Sequence, residues 1–426
     1  MNSLVTPFPR QKTFHNAPEP DFLARRVDGY YRDRVQNTWD GGHIMHGRQP
    51  REGALHLSSN DYLSLARHPQ ILKASAECLL GQGNGLLMSS VFLHGANPLF
   101  DLELRLATLM GAEAGVLCQS GFAANTGLVQ SIANESTPVY VDMMAHMSLW
   151  EGIRSASARA VPFRHNDIEH LERQILKHGP GVVLVDSVYS TNGSVCPLVD
   201  LVAVGTRHAC LLVVDESHSL GTHGQQGGGM VAALGLSDLV HLRTASLAKA
   251  FAGRAGFIAC SERFSQYFRF ESNPAIFSST LLPHEIAGLN ATLEVIRTEN
   301  WRRTALHAKA FSLRARLDDL GYNLNGSQSQ IIALESGSER QTIVLRDALE
   351  ARGVFGSVFC APATAKNRAL IRFSINSTLT DGEMEHLVAT CRAIREEVSM
   401  LAWPSTRNKK ARDISTAYHP EIAAVA

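Results

Sequence analysis

Polar side chains that could do chemistry follow a short apolar run near the middle of the chain. The segment LLVVDESHSLGTHG, residues 211–224, runs from four apolar residues directly into Asp215, Glu216, Ser217 and His218. If the apolar run is a buried strand of a parallel sheet, these side chains lie beyond its carboxyl end, where ligands bind in α/β domains. Asp215 and His218 are therefore predicted site residues. The alternative role of Asp215 is to cap the following turn or helix.

A lysine further along the chain lies among small residues. Lys249, in TASLAKAFAGRAGF, follows another strand-like run and is surrounded by Ala, Ser and Gly. A packed stem and a poorly solvated amine lower the pKa of a lysine and favour its reaction with an aldehyde. A single lysine is more often a charged surface residue, so the inference depends on the order of the carboxylate and the lysine along the chain. A carboxylate after one strand and a lysine after a later strand suit pyridoxal phosphate, which needs the carboxylate at its ring nitrogen and the lysine at its aldehyde.

Short apolar runs alternate with longer mixed segments through the centre of the chain. The strand-like runs are residues 115–118, 138–141, 181–185, 211–214, 240–243 and 256–260. Runs such as GVVLV are apolar on both faces, which is typical of a mostly parallel sheet covered by helices. The intervening segments are long enough for crossover helices. The pattern predicts a large α/β domain over residues 54–285, in which an amphipathic helix begins at Pro98 and stops at Gly111.

A second, smaller pattern follows this domain. Residues 284–321 are typical of one long helix, and strand-like runs at 330–334, 354–359 and 370–375 follow, with a helix at 342–352. A closing helix begins at the capping box Thr380–Glu383. Residues 286–403 are therefore predicted to form a linking helix and a small C-terminal α+β domain. Residues 1–53 are predicted to be an arm with one helix around 21–35, and residues 404–426 a solvated or partner-bound tail.

Composition excludes several classes of function. Forty Lys and Arg balance forty Asp and Glu, so there is no overall basic field for DNA or RNA and no nucleic-acid partner is expected. No apolar run approaches the roughly 18 residues that span a bilayer, and the N-terminus lacks the anatomy of a secretory signal. A cytoplasmic protein without a membrane span is therefore expected. The seven cysteines are scattered and form no C-x-x-C pair, which argues against disulfides and against a metal site.

Seven motifs, in order along the chain, carry a resemblance to a known family. They are SGFAAN at 120–125, AHMSLWEG at 145–152, VDSVYSTNGSVCPL at 185–198, DESHSLGTHG at 215–224, SLAK at 246–249, FSSTLLP at 277–283 and LIRFSIN at 370–376. Together they resemble the α-oxoamine synthases, pyridoxal-phosphate-dependent enzymes of fold type I that condense an amino acid with an acyl-CoA. Within that family, AHMSLWEG, FSSTLLP, SQIIALESGSER and GVFGSVFCAPATAKN are most similar to the synthases of α-hydroxyketone quorum-sensing autoinducers.

The resemblance implies roles for residues around the cofactor ring. Lys249 would bind the aldehyde and later remove the Cα proton of the amino acid, while Asp215 would keep the pyridine nitrogen protonated. His146 would stack on the ring, with a core or interface histidine as the alternative. Ser187 and His218 would hydrogen-bond the phenolate oxygen, with a strand-end serine and a helix-capping histidine as the alternatives.

The resemblance also implies a phosphate site and a homodimer. Gly121 and Phe122 would offer backbone N–H groups where a loop enters a helix, and Ser246 would add a hydroxyl. Ser278 and Ser279 would reach the phosphate from the neighbouring subunit, which makes the active site intersubunit. The alternative is that FSST is a polar turn within its own subunit.

Asn60, in SSNDYLSL, and Arg372, in LIRFSIN, would bind the amino-acid carboxylate. An arginine inside a strand-like run needs a partner, which also favours a functional role. The expected reaction joins an acyl-CoA to an amino acid with loss of CoA and carbon dioxide, and the aminoketone product would be the precursor of an α-hydroxyketone autoinducer.

Two departures from the family pattern bear on the substrate. In SSVFLHGANPLFDLE, Leu99 or a neighbour occupies the place of a family histidine, and Arg254 stands among the small residues after the lysine. Both are expected near the substrate pocket, so the predicted amino acid is larger than glycine, such as 2-aminobutyrate or a methionine-derived amino acid. The alternatives are a conventional α-oxoamine synthase that uses glycine, alanine or serine, and a non-catalytic partner subunit. The presence of Lys249, Asp215 and His218 together argues against the latter.

Overall fold

A computed structural model of the protein describes residues 17–403. Among these, residues up to Gly47 cluster as one unit and residues from Arg48 onward as another. In the first unit, helix α1 (Asp21–Tyr30) continues into a π-helix (Tyr31–Gln36), which confirms the predicted helix around 21–35. Residues 1–16 of the predicted arm and the predicted tail at 404–426 lie outside the described residues.

The second unit contains twelve strands within the described residues. They are β1 (Leu55–His56), β2 (Ala114–Cys118), β3 (Pro138–Asp142), β4 (Arg159–Phe163), β5 (Val182–Asp186), β6 (Leu211–Asp215), β7 (Leu242–Ser246), β8 (Gly256–Cys260), β9 (Ile331–Gly337), β10 (Val354–Phe355), β11 (Ser357–Phe359) and β12 (Ala369–Ser374). The predicted runs correspond to these strands, except that β1 and β4 were not predicted. Strand β1 has only two residues, and β4 mixes exposed and buried residues rather than forming an apolar run.

Helices lie between and after these strands. They are α2 (Pro69–Gln82), α3 (Pro98–Met110), α4 (Gly121–Ile132), α5 (Met147–Ser155), α6 (Ile168–His178), α7 (Leu198–Arg207), α8 (Met230–Ala233), α9 (Glu262–Glu271), α10 (Asn273–Ile276), α11 (Pro283–Thr298), α12 (Trp301–Asp319), α13 (Glu339–Glu350) and α14 (Asp381–Ile394). Helix α3 confirms its prediction: Asn97 caps it and Gly111 ends it in a left-handed conformation. No described helix is both long and apolar enough to cross a membrane.

A seven-stranded sheet forms the centre of the second unit. Its spatial order is β2-β8-β7-β6-β5-β3-β4, and only β8 runs antiparallel to its neighbours. Val183 and Val185 of β5 pack into one apolar core and Val182 and Leu184 into another, so the sheet is buried on both faces. This confirms the predicted mostly parallel α/β architecture.

A three-stranded antiparallel sheet, in the order β11-β12-β9, forms the C-terminal part with α13 and α14. Helix α14 has the predicted capping box and buries Met384, Leu387, Val388 and Cys391. Strand β1 pairs with β10, so residues 55–56 join a strand of the C-terminal region. The division into domains at 54, 286 and 404 stays a prediction.

The predicted single helix over residues 284–321 is wrong. Helices α11 and α12 are separated at Glu299, whose backbone leaves the helical region. The Glu299 carboxylate lies 3.2 Å from Nε2 of His68 and accepts a 2.7 Å hydrogen bond from Nε of Arg302. His68 lies 231 residues before Glu299 in the sequence, and helical periodicity does not reveal a contact of this kind.

The predicted strand over residues 354–359 is two strands in different sheets. Gly356 separates β10 from β11, and a Cβ atom there would lie 2.6 Å from the side chain of Ile371 and 2.8 Å from that of Phe373. The absence of a side chain lets the backbone pass close to β12. The turn then sends β10 to pair with β1 and β11 to pair with β12.

Candidate active site

A cavity of about 230 Å³ lies at the carboxyl ends of β5, β6 and β7, against the start of α4. This is the edge of a parallel sheet where α/β folds bind ligands. The cavity is lined by Ser120, Gly121, Phe122, Asn125, His146, Ser148, Asp186, Asp215, Ser217, His218, Ser246 and Lys249. Seven of the twelve predicted site residues therefore meet in one place.

The Asp215 carboxylate is buried and held by two donors. Its Oδ2 accepts a hydrogen bond of 2.6 Å from the Asn125 amide, and its Oδ1 accepts one of 2.8 Å from the Ser217 backbone N–H. Thr244 in turn donates to Asn125 Oδ1 at 2.6 Å, which fixes the orientation of that amide. These hydrogen bonds fix the position of the carboxyl group at the cavity wall. The site therefore presents an oriented acidic side chain to its ligand.

A second carboxyl group, Asp186, lies beside Asp215 on the neighbouring strand. The two residues are direct partners in the β5–β6 pairing. Burial, followed by the charge of Asp215, raises the pKa of Asp186 well above its usual range, although one oxygen accepts a 3.1 Å bond from the His146 N–H. Two buried carboxyl groups this close do not both ionise readily, and the raised pKa of Asp186 favours its protonated form.

His146 is oriented by a chain of hydrogen bonds that starts at Asp215. Asn125 donates to Ser148 Oγ at 2.8 Å, and Ser148 Oγ lies 2.7 Å from Nδ1 of His146. The Ser148 backbone N–H also donates to Nδ1, so this nitrogen is an acceptor and the ring proton of the neutral form is on Nε2. Burial, followed by the charge of Lys249, lowers the pKa of His146, with Asp215 acting in the opposite direction. A neutral imidazole suits stacking against a ring.

The amine of Lys249 lies 3.0 Å from Nε2 of His218. Burial lowers the pKa of Lys249 to about 8, although the carboxyl groups of Asp215 and Asp186 oppose the shift and Arg372 adds to it. Burial also lowers the pKa of His218 well below its usual range. A lysine with such a pKa is partly neutral near physiological pH and can react with an aldehyde or accept a proton.

The start of helix α4 offers backbone donors to an anion. Ser120 caps the helix by accepting from the Ala123 N–H at 3.1 Å, while the N–H groups of Gly121 and Phe122 belong to the first turn and have no partner within the helix. A Cβ on Gly121 would lie 2.6 Å from Cβ of Ser246, so the helix start packs directly on the loop that carries the serine. This arrangement suits a phosphate group.

Asn60 and Arg372 meet each other outside the set of cavity-lining residues. Arg372 is buried, donates through Nη2 to Asn60 Oδ1 at 3.0 Å and through Nη1 to the Ser190 carbonyl at 2.8 Å, and stacks 4.6 Å from the ring centroid of Phe359. Its Nε is buried and has no hydrogen-bond partner among the described residues. A buried guanidinium with an unused donor is suited to bind a carboxylate.

Three predicted residues are placed elsewhere. The Ser187 hydroxyl lies 3.0 Å from the backbone oxygen of Asp215 and 2.8 Å from Ser219 Oγ. Ser278 donates to the carbonyl of Pro274, and Ser279 is exposed and pairs with Ser89 in an isolated bridge. None of the three lines the cavity within the described chain, so their predicted contacts with a cofactor stay predictions.

Two positions expected near the substrate pocket also do not line this cavity. Leu99 is buried in the apolar core at the start of α3, and Arg254 is exposed in the loop that follows Lys249.

The sequence motifs predict no role for several residues that line the cavity. These are Asn125, Ser148, Asp186 and Ser217. Tyr62 was also missed; its hydroxyl lies 2.7 Å from Nδ1 of His218. A usable signal existed for Asp186, since it ends a buried strand just as Asp215 does.

Comparison with known proteins gives concordant results. The sequence matches the family described as Aminotransferase class I and II over residues 52–390. It is 48% identical over 375 residues to a CAI-1 autoinducer synthase of Vibrio campbellii, which is 88% of this chain and 95% of that protein. A putative 8-amino-7-oxononanoate synthase of Halalkalibacterium halodurans is 30% identical over 334 residues, 78% of this chain and 84% of that protein. A solved serine palmitoyltransferase from S. paucimobilis, with bound PLP and myriocin, has a TM-score of 0.79 at 24% identity, over 89% of this chain and 98% of that one.

Proposed function

The chain belongs to the aminotransferase class I and II family as a pyridoxal-phosphate-dependent α-oxoamine synthase, and on this premise we propose that it makes the aminoketone precursor of an α-hydroxyketone quorum-sensing autoinducer. Family membership confirms the predicted fold type, the enzyme class and the cofactor. The proposal for the product is supported by 48% identity to a protein named CAI-1 autoinducer synthase.

The groups around the cavity fit pyridoxal phosphate. The Lys249 amine suits its aldehyde, the buried Asp215 carboxylate suits a protonated pyridine nitrogen, and the first-turn N–H groups of α4 suit its phosphate. His146 would stack on the ring, and His218 and Ser246 would add hydrogen bonds. When bound, pyridoxal phosphate supplies an electron sink that stabilises negative charge at the α-carbon of an amino acid.

The residues of the chain would have different roles in the reaction. Lys249, whose amine lies 3.0 Å from Nε2 of His218, would accept the proton from the α-carbon. The observation that carries the proposal is that Lys249, Asp215 and His218 line one cavity at the start of α4. Asp215 would hold a proton at the ring nitrogen. Arg372 and Asn60 would orient the carboxylate of the amino acid, which fixes the direction of its α-carbon.

The overall reaction balances without an added oxidant or reductant. A carbon–carbon bond forms between the α-carbon of the amino acid and the acyl carbon, and the thioester carbon–sulfur bond breaks to release CoA as its thiol. The carboxylate leaves as carbon dioxide, and the product is an aminoketone. Conversion of the aminoketone to a hydroxyketone would belong to other steps.

We further propose an amino acid larger than glycine, such as 2-aminobutyrate or a methionine-derived amino acid. The identity to the autoinducer synthase supports this choice. The 30% identity to a putative 8-amino-7-oxononanoate synthase makes a conventional α-oxoamine synthase the alternative, and the substrate panel below separates the two.

A homodimer with an intersubunit active site is also part of the proposal. The segment 85–92 lies beside the segment 275–283 through the Ser89–Ser279 bridge and a 2.8 Å bond from the Thr280 N–H to the Met88 carbonyl. Large apolar side chains in and near these segments are exposed in the single chain: Leu80, Leu86, Leu87, Phe92 and Phe277. A second copy would bury them and would bring Ser278 and Ser279 to the partner's cavity.

Mass spectrometry of the products from a panel of acyl-CoAs crossed with a panel of amino acids tests this function. We expect an aminoketone with release of CoA and carbon dioxide, and faster turnover of 2-aminobutyrate or a methionine-derived amino acid than of glycine. Lys249→Ala should give no product, whereas Tyr322→Phe, a buried change in the C-terminal part, should remain active. Equal turnover of glycine would contradict the amino-acid assignment, and absence of any condensation product would contradict the function.

A further inference from the structure

The aromatic ring of Phe359 covers one face of the Arg372 guanidinium. The ring centroid lies 4.6 Å from Cζ of the arginine, which is buried, whereas the phenylalanine is half-buried. Strand pairing brings the two side chains together. Arg372 on β12 lies opposite Ser357 on β11, and Phe359 lies two residues further along β11 on the same face of the sheet. A cation is attracted to the negative face of an aromatic ring, so this contact stabilises the charged arginine.

The ring and the hydrogen bonds of Arg372 restrain its guanidinium in different directions. Nη1 donates to the Ser190 carbonyl at 2.8 Å, and Nη2 donates to Asn60 Oδ1 at 3.0 Å. Because N–H groups donate within the guanidinium plane, these two bonds leave the group free to tilt about the line that joins the two nitrogens. Contact with the face of the Phe359 ring opposes this tilt. The three groups together therefore define the plane of the guanidinium.

A second stacked arginine shows what Arg372 lacks. Arg302 lies 4.5 Å from the ring centroid of Trp301 and also donates through Nε to the Glu299 carboxylate at 2.7 Å. The contacts of Arg372 with the described residues are with uncharged groups, and its buried Nε has no hydrogen-bond partner among them. A stacked ring leaves the in-plane N–H donors unused. Arg372 is therefore arranged to receive a carboxylate from a ligand.

We propose that Phe359 is a positioning residue for amino-acid binding, whose ring holds the Arg372 guanidinium in the plane that receives the carboxylate of the amino acid. The inference rests on the proposed function and deepens it, because Arg372 is assigned there to this carboxylate. Phe359 itself contacts neither the amino acid nor the cofactor in this proposal. Without the ring, the guanidinium must be ordered each time a carboxylate binds, and this entropic cost lowers the affinity.

A comparison of two ligands isolates the contribution of the carboxylate. The ligands 2-aminobutyrate and 1-aminopropane have the same amino group and the same three-carbon chain, and only the first has a carboxylate. Visible absorbance of the full-length, cofactor-loaded protein gives the Kd of each ligand in the absence of acyl-CoA. In Phe359→Leu we expect the Kd of 2-aminobutyrate to rise roughly 2- to 13-fold, the cost of immobilising one long side chain. The Kd of 1-aminopropane should not change.

Two control variants and a double-mutant cycle test whether the effect passes through Arg372. Phe359→Tyr keeps the aromatic face and should keep the wild-type Kd. Trp301→Leu removes the ring that stacks on Arg302, outside the cavity lining, and should also leave the Kd unchanged. In an Arg372→Met background, Phe359→Leu should cause no further rise. An unchanged Kd for 2-aminobutyrate in Phe359→Leu, an equal rise for both ligands, or an equal rise in both backgrounds would overturn the proposal.

A second variant covers the case in which Phe359→Leu does not fold. Phe359→Met fills a similar volume without an aromatic face and should give the same selective rise, and an unchanged Kd for 2-aminobutyrate would overturn the proposal. Because acyl-CoA is absent from the titration, a wrong assignment of the acyl group or the product leaves its outcome unchanged. A selective rise without any condensation product in the substrate panel would refute the proposed function and support the role of Phe359.

Discussion

Replacing Arg372 by lysine should weaken binding of the amino acid while leaving binding of the acyl-CoA close to its original value. The guanidinium donates through two nitrogens, to the Ser190 carbonyl at 2.8 Å and to Asn60 Oδ1 at 3.0 Å. A lysine keeps the positive charge but lacks the planar guanidinium with its several N–H donors. It therefore cannot donate to these two acceptors and to a carboxylate at the same time. Loss of one hydrogen bond to a charged group costs about 1.5–3 kcal/mol, which corresponds to a roughly 10- to 150-fold higher KM for the amino acid.

Steady-state measurement of CoA release, with each substrate varied in turn, separates the two KM values. Arg303→Lys is the matched control, because Arg303 is also buried and also donates to backbone carbonyl groups, those of Ile296 and Gln225. Neither carbonyl belongs to the cavity lining. An equal rise of both KM values, or an unchanged KM for the amino acid, would refute the assignment of the carboxylate to Arg372.

Three further changes test other parts of the site. Asp215→Asn removes the charge held by Asn125 and should lower kcat/KM by about 100-fold or more at saturating cofactor. Lys249→Met should stabilise the cofactor-free protein by up to about 3 kcal/mol at about pH 7, because burial lowers the lysine pKa from 10.5 to about 8 and the unfolded chain binds more protons between these values. Thermal unfolding at about pH 7 and about pH 9.5 checks this difference, which should shrink as pH rises towards 10.5. Gly121→Ala would bring a Cβ within 2.6 Å of Ser246 and should weaken cofactor binding in a visible-absorbance titration by about tenfold or more.

For each of these predictions, one result would contradict it. Gly382→Ala is the control for Gly121→Ala, because a Cβ at Gly382 meets nothing within 4 Å and cofactor affinity should not change. Equal cofactor affinity in both glycine variants would contradict the assignment of the cofactor phosphate to the start of α4. A lower melting temperature of Lys249→Met at neutral pH would contradict a buried, destabilised ammonium, and full activity of Asp215→Asn would contradict its role at the ring nitrogen.

The fold and the centre of the site could be predicted because both depend on local patterns. Buried strands of a parallel sheet are continuous apolar runs, and polar residues placed directly after such runs lie at the sheet edge that binds ligands. Asp215 and Lys249 follow this rule and line one cavity. The capping box at Thr380 and the glycine after α3 are likewise short-range signals, and the structure confirms the ends of both helices.

The supporting contacts could not be predicted because they join residues that are distant in sequence. The bond from Asn125 to Asp215 spans 90 residues, and the contact of Tyr62 with His218 spans 156. Neither Asn125 nor Tyr62 differs in type from many ordinary core residues. At the break between α11 and α12, the contact of Glu299 with His68 likewise joins residues distant in sequence. The proposed second copy would add contacts of this kind, and the predicted roles of Ser278 and Ser279 rest on it.

The central claim is that the cavity around Lys249 is where this enzyme holds its cofactor and performs its reaction. Reduction of the coloured protein with borohydride, followed by digestion and mass spectrometry, locates the lysine that carries the pyridoxal group. We predict that the group is found on the peptide containing Lys249 and that visible absorbance and product formation are both lost in Lys249→Ala. Attachment to a different lysine, with activity retained in Lys249→Ala, would contradict the account.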